Sequence, residues 1–170
     1  GTESFLSYAF NYWQYATSFV YWSGSEEGLV CCPTGEFTDA AHTNGVPVVA
    51  TLGFPWGRGD GYVEQVRQFV QKAPDGSFPV ADKLIEVMDY YGFDGYFFNQ
   101  ESYDCTAAEG ALIDEMMRYM HKMRPDMLIS WYDSMVPAGG VSYQNAVNDA
   151  NKQFMTDSED GTRAIDEFLM

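Results

Sequence analysis

Asn99 and Glu101 stand two residues apart at the end of an aromatic run, YYGFDGYFFNQESYDC, residues 90–105. In an extended chain alternate side chains share a face, so both point to one side and Gln100 to the other. Their Cα atoms would lie roughly 6.6 Å apart at about 3.3 Å of rise per residue, so both can reach one bound group. A glutamate ringed by Tyr and Trp has surroundings that raise a carboxyl pKa toward that of a general acid, the group that protonates a leaving oxygen. The usual partner in such hydrolysis is a second carboxylate. Here the neighbour is an amide, neither nucleophile nor base at neutral pH. An amide suits a reaction whose nucleophile travels with the substrate. In a sugar bearing a 2-acetamido group, the acetamido oxygen can attack the anomeric carbon and close an oxazoline-type ring. Asn99 would then orient the acetamido N–H, most effectively as its imidic-acid tautomer, with Glu101 as acid and later as base for water. Spacing alone is weak support, because Asn and Glu at a strand end most often meet solvent or cap the next helix.

The elements that must hold this pair alternate along the chain. FVYWS (19–23) reads as a strand, and TGEFTDAAHTNG as a helix, with Thr34 as N-cap and Gly45 as the C′ stop. VPVVATLGF (46–54) is a near-continuous apolar run, as in a strand buried on both faces. Helices are predicted over 62–73 and 80–91, the second ended by Gly92, and DGYFFNQE (94–101) is the third strand. Residues 107–124 form a helix with Leu112, Met116, Met120 and Met123 on one stripe, ending before Pro125. MLISWYDS (127–134) is the fourth strand, 143–154 reads as helix, and AIDEFLM opens a fifth strand. Strand–helix alternation with buried strands implies right-handed βαβ units and a parallel sheet. No GxGxxG or Walker loop follows a strand, which disfavours a nucleotide and leaves no cofactor expected. Polar and aromatic residues gather after strand ends: Trp22-Ser23, Trp56-Gly57-Arg58, Asn99 to Glu101, Trp131 to Asp133. (β/α)₈ barrels carry their active sites there, but a whole barrel takes about 250 residues. The 170 residues thus read as one unit, about half a barrel or a small open sheet, with the half-barrel favoured.

Composition bounds the partners. A net charge of −16 with nine Lys and Arg argues against nucleic acid, which needs clustered cations, and fits a neutral ligand or a merely solvated surface. No apolar run reaches the ~18 residues that span a membrane. GTESFLSYAF lacks the basic and apolar regions of a signal peptide. Cys31, Cys32 and Cys105 show no metal spacing and read as free thiols. His42 and His121 read as packing or surface residues, and no metal site is expected. Asp94 reads as a turn residue. Asp133 is the best second carboxylate, equally readable as an acceptor for neighbouring hydroxyls. Trp56, in a Gly-rich loop, suits sugar stacking or rim packing.

The stretches FNYWQYATSFVYWSGS, DAAHTNGVPVVATLGFPWG, YYGFDGYFFNQES and ISWYDSM with VSYQNAVND resemble, in order, landmarks of the glycoside hydrolase family 85 endo-β-N-acetylglucosaminidases. The resemblance covers nearly the whole chain. It implies a (β/α)₈ TIM barrel of which strands two to five are present. It also implies hydrolysis of the GlcNAc-β-1,4-GlcNAc bond in the core of N-linked glycans with retained configuration, some members also transferring the glycan to an acceptor sugar. The family's catalytic Asn and Glu fall on Asn99 and Glu101, and its Tyr in the WYDS strand falls on Tyr132. Trp22, Trp56, Trp131 and Asp133 are expected to bind substrate. By analogy with the family the enzyme is secreted or on a bacterial surface, with a cytoplasmic location as the alternative. Two other classes stay open. One is a chitinase-like glycosidase, although FDGYFFNQE has Asn where the middle acid of DxxDxDxE belongs. The other is a non-catalytic carbohydrate-binding fragment.

Overall fold

The computed structural model describes residues 10–22 and 30–170. Ser23, expected at the end of the first strand, and the segment expected to lack a signal peptide up to residue 9 lie outside them. The strands are β1 (Phe19–Tyr21), β2 (Val30–Cys31), β3 (Val48–Gly53), β4 (Gly95–Asn99), β5 (Leu128–Tyr132) and β6 (Glu167–Leu169). The helices are α1 (Gly35–Thr43), α2 (Asp60–Phe69), α3 (Pro79–Tyr91) and α4 (Ala107–Met123). Strands β1, β3, β4, β5 and β6 run parallel in that order, as buried strands joined by helical crossovers must. Strand β2 has no counterpart among the expected elements and pairs antiparallel with β3 through Val30–Leu52 and Cys31–Thr51.

Alternation sorts the strand side chains into two layers. Ala50, Leu52, Tyr96, Phe98, Ile129 and Trp131 are buried in one core with Val66, Leu84, Met88, Ile113, Met116, Met117 and Met120 from α2, α3 and α4. The α4 stripe is therefore rotated from the expected one, and Met123 is exposed. The other face is concave. Ser18, just before β1, donates from Oγ to both carboxylate oxygens of Glu167 in β6, at 3.0 and 3.2 Å. On a flat sheet those strands would lie four spacings apart, roughly 19 Å, too far for two such side chains to bridge. The sheet is curled into a half-barrel, and Ser130 donates to the same carboxylate at its floor. The curl needs close backbone approach: a Cβ on Gly95 would lie 1.8 Å from the Leu128 carbonyl oxygen.

Two expected helices are cut. Helix α2 stops at Phe69, because the residue preceding Pro74 is pushed out of helical conformation and Ala73 instead closes a turn to Ser77 O at 2.8 Å. Residues 143–154 form a loop and a 3-10 helix, Lys152–Met155, in place of an α-helix. Asn side chains compete with helix hydrogen bonds. Asn145 takes φ 54°, Asn148 Oδ1 accepts from Ala150 N, and Asn151 Oδ1 accepts from Asn148 N.

Both histidines tie strands together at the N-terminal end of the sheet. Asp94, directly before β4, accepts at Oδ2 from Val48 N in β3 and contacts His42 Nε2, each at 2.7 Å. Asp166, directly before β6, accepts at Oδ2 from Ile129 N in β5 at 2.9 Å and contacts His121 Nε2 at 3.1 Å. Asp94 is thus a strand tie rather than only a turn residue. The Nδ1 of His121 faces Arg163 O at 2.9 Å, so both ring nitrogens meet acceptors. Burial opposes a charge on His121, but the Asp166 carboxylate and the Arg163 carbonyl outweigh it and raise its pKa.

Candidate active site

Asn99 is the last residue of β4, and Glu101 follows on the same concave side. The turn after them is pinned by the residue between. Gln100 is fully buried on the opposite side, where its Oε1 accepts from Ser102 N at 2.9 Å and its Nε2 donates to Ser102 O at 3.3 Å. Ser102 Oγ donates to Pro55 O at 2.9 Å, and Ser134 Oγ donates to Gln100 O, so the loops after β3 and β5 clamp the turn from both sides. Helix α4 starts at once behind a capping box in which Thr106 N and Oγ1 donate to Glu109 Oε2 at 2.7 and 2.6 Å. Burial works against the Glu109 charge, yet Thr106 and Arg67 hold its pKa down to about 2. Burial pushes the Cys105 thiol up to about 11, so it stays protonated at neutral pH and is no nucleophile.

Glu101 is half-buried between two side-chain donors. Asn99 Nδ2 donates to Oε2 at 3.3 Å, and the Tyr143 hydroxyl donates to Oε1 at 2.8 Å. That orientation leaves Asn99 Oδ1 to accept from something else. Gly53 pairs with Asn99 in the sheet, and a Cβ built on it meets nothing within 4 Å, so there is free space beside the amide. Tyr132 ends β5 on the concave side, its ring 6.4 Å from Phe97 and 5.8 Å from Tyr143. Trp22 is 57% exposed, with its ring 6.1 Å from Phe97. Trp22, Phe97, Tyr132 and Tyr143 thus line one aromatic wall past the carboxylate. Burial, with Glu101 close by, raises the pKa of Tyr132, and burial, Tyr103 and Glu101 together raise that of Tyr143. Both phenols therefore stay protonated at neutral pH.

Across the mouth, Trp56 is 64% exposed and its Nε1 donates to the Tyr103 hydroxyl at 3.3 Å. Among the expected site residues, Asn99, Glu101, Tyr132, Trp22 and Trp56 gather at this end. Trp131 and Asp133 do not face it. Trp131 is fully buried on the helix side, 6.1 Å from Phe98 and 5.0 Å from Phe154, with Nε1 donating to Met135 O. The alternation that turns Tyr132 inward turns its neighbours outward. Asp133 is 3% exposed and accepts from Gln144 N, Asn145 N and Asn151 Nδ2 at 2.6–2.8 Å. Its carboxylate is committed to shaping the loop that carries Tyr143. Tyr143 and Tyr103 are site residues that sequence reasoning missed. The only signal for them was aromatic residues in the VSYQ and ESYD stretches after strand ends.

Among the described residues no three His, Cys, Asp or Glu side chains could share a cation, and no described helix is long and apolar enough to cross a membrane. The family model for glycosyl hydrolase family 85 matches residues 1–168. Cytosolic endo-beta-N-acetylglucosaminidase of Gallus gallus is 34% identical over 164 residues, covering 95% of this chain and 22% of that protein. The Homo sapiens enzyme of the same name is 34% identical over 158 residues, covering 91% and 20%. The chain therefore spans about a fifth of the length of these relatives. Their names accord with the cytoplasmic alternative for location. The crystal structure of the glycoside hydrolase domain of Endo-D from Streptococcus pneumoniae R6 superposes with TM-score 0.85 at 38% identity, over 95% of this chain and 25% of that one. A chitinase from Bacteroides thetaiotaomicron superposes with TM-score 0.52 at 15% identity, over 75% and 42%, a likeness of fold alone.

Proposed function

This chain belongs to glycosyl hydrolase family 85, and from that premise we propose that it forms the acid-bearing half of an endo-β-N-acetylglucosaminidase barrel. The substrate is the N-linked glycan of a glycoprotein, cut between the two core GlcNAc residues. One observation carries the mechanism: Glu101 lies against an amide, Asn99, with free space beside it, and the second carboxylate expected from the sequence, Asp133, is saturated by its own loop. The nucleophile is then the 2-acetamido oxygen of the sugar. Asn99 Oδ1 accepts the acetamido N–H and aims that oxygen at the anomeric carbon. As the new C–O bond closes the oxazoline ring, the glycosidic bond breaks and Glu101 gives its proton to the departing GlcNAc oxygen. Glu101, now ionised, takes a proton from water, which opens the ring from the opposite side and restores the original configuration. An acceptor sugar in place of water would give transglycosylation. Tyr143 donates to the carboxylate and Tyr132 to the acetamido group, while Trp22 and Trp56 offer ring faces to the sugars.

The test is digestion of a high-mannose glycoprotein by the full-length protein, with products weighed. Polypeptide retaining a single GlcNAc is the expected result; cleaved chitin oligomers or an intact glycan would overturn the reading. Asn99→Ala is expected to lose the natural glycan yet still turn over a preformed sugar oxazoline. Equal losses on the two substrates would remove the acetamido-orienting role.

A further inference from the structure

The hydroxyl that meets Glu101 Oε1 belongs to a segment that burial cannot hold, since Tyr143 and Val147 are both exposed. Polar ties set its course instead. Asp133 follows directly on β5, where its own N–H donates to Leu169 O at 2.9 Å. Its Oδ2 accepts from Gln144 N and Asn145 N at 2.8 and 2.6 Å, the two N–H groups next after Tyr143. They hold Asn145 in the left-handed region at φ 54°, which costs a residue with a side chain free energy unless its surroundings enforce it. Oδ1 is taken by Nδ2 of the fully buried Asn151 at 2.8 Å. The chain ahead of Tyr143 is fixed too. Residues 134–142 form a small hairpin, bridged between Met135 and Val141 and closed by Ser142 N donating to Ser134 O at 2.6 Å. Ser134 Oγ donates to Gln100 O, the carbonyl just ahead of Glu101. The hairpin rests on α4, where a Cβ on Gly110 would lie 2.4 Å from Pro137 O. One loop thus grips the acid at its backbone and at Oε1, while Asn99 holds Oε2. The terminal torsion of a glutamate is broad, so these two donors set the plane of the carboxylate.

We infer that Asp133 is a positioning residue that, through Tyr143, fixes the Glu101 carboxylate toward Asn99. The inference rests on the assignment of Glu101 as the acid. Asp133→Asn keeps the shape of the side chain and loses the charge that holds two N–H groups. In the full-length protein acting on a high-mannose glycoprotein, its kcat should fall roughly tenfold with KM little changed, the low end for one hydrogen bond to a charged group. An ionised Glu101 without its Tyr143 donor is less favoured, so the basic limb of kcat/KM should move to higher pH. Tyr143→Phe should lower kcat and move the limb in the same way. In that background Asp133→Asn should cost little further, because the path to Glu101 is already cut. Gly110→Ala reaches the loop from the other side: alanine suits the helix, and its methyl group pushes the hairpin without touching Asp133. It should move the limb upward too, and it decides the matter if Asp133→Asn does not fold. An unmoved limb in a folded variant, effects confined to KM, or losses that multiply in the double variant would overturn the inference. Glu101→Gln separates the two levels. If it keeps full hydrolysis, the acid assignment itself fails. If it is inactive while the Asp133 and Tyr143 losses multiply, only the path from Asp133 fails.

Discussion

At the N-terminal rim of the sheet, Asp94 and Asp166 each accept a backbone N–H from the neighbouring strand and meet a histidine. At the C-terminal rim, among the described residues Glu101 accepts only from the side chains of Asn99 and Tyr143, while Asp133, on the outward face, takes two backbone N–H groups and an amide. The four carboxylates differ less in chemistry than in who holds them. A backbone donor cannot leave without breaking the sheet or loop, so those three are parts of the frame. A side-chain donor can turn toward a ligand and be replaced by it. Of these four, the carboxylate free to exchange partners is the one proposed above as the acid, which agrees with active sites at the C-terminal ends of barrel strands and stabilising residues at the other.

Substitutions can break that contrast, beginning with the strongest. Glu101→Gln should lower kcat by roughly 10²–10⁴, the range of general acid–base catalysis, with the thermal melt nearly unchanged because Gln still accepts from Tyr143. A large loss of stability would show Glu101 to be frame as well. Two tryptophans make the same distinction in apolar terms. Trp131→Ala should cost about 3–5 kcal/mol in urea unfolding, since its ring fills the core between β4, β5 and Phe154. Trp22→Ala should instead raise KM with little change in stability.

The two His–Asp ties should then separate by burial and by pH. Asp166→Ala is expected to cost roughly 1.5–3 kcal/mol, as for a hydrogen bond to a charged group, and Asp94→Ala, at a half-exposed site, less than about 1 kcal/mol. Burial alone would raise the Asp166 pKa, but His121 and Ile129 N–H lower it below 3.8. Its stabilisation is complete above that value and lost as pH falls through the lowered one. The raised pKa of His121 acts from the other side: its stabilisation is complete below 6.5 and lost as pH rises through the native value. The gap between wild type and Asp166→Ala should be widest between pH 3.8 and 6.5 and narrow in more alkaline buffers. A gap independent of pH would mean that His121 stays neutral.

Much of this was legible in local pattern. The period-two alternation around NQE placed Asn99 and Glu101 together, and Gly45 and Gly92 stop their helices in left-handed conformation as expected. Trp131 and Asp133 were misplaced although the same alternation, applied outward from Tyr132, turns both away from the mouth. The density of rings in SWYDS hid a rule already in use. Tyr143 was out of reach for a different reason: it lies 42 residues beyond Glu101, on a loop whose path depends on a buried carboxylate capturing backbone N–H groups. The helix expected over 143–154 failed on the same account. The histidine ties leave a fainter local trace, an Asp immediately ahead of a strand in both FDG and IDE, which means little until the sheet order is known.

The bond from Ser18 to Glu167 joins residues 149 apart in sequence. The strand pairings among the described residues link positions only 20 to 46 apart, so this closure has nothing to hold until every crossover between is in place. Contacts of such separation repay their loop entropy late. Glu167→Gln should accordingly speed unfolding and leave the refolding rate almost untouched. The carboxylate on the barrel floor then acts as a timekeeper, marking the moment at which the first strand and the last have found each other.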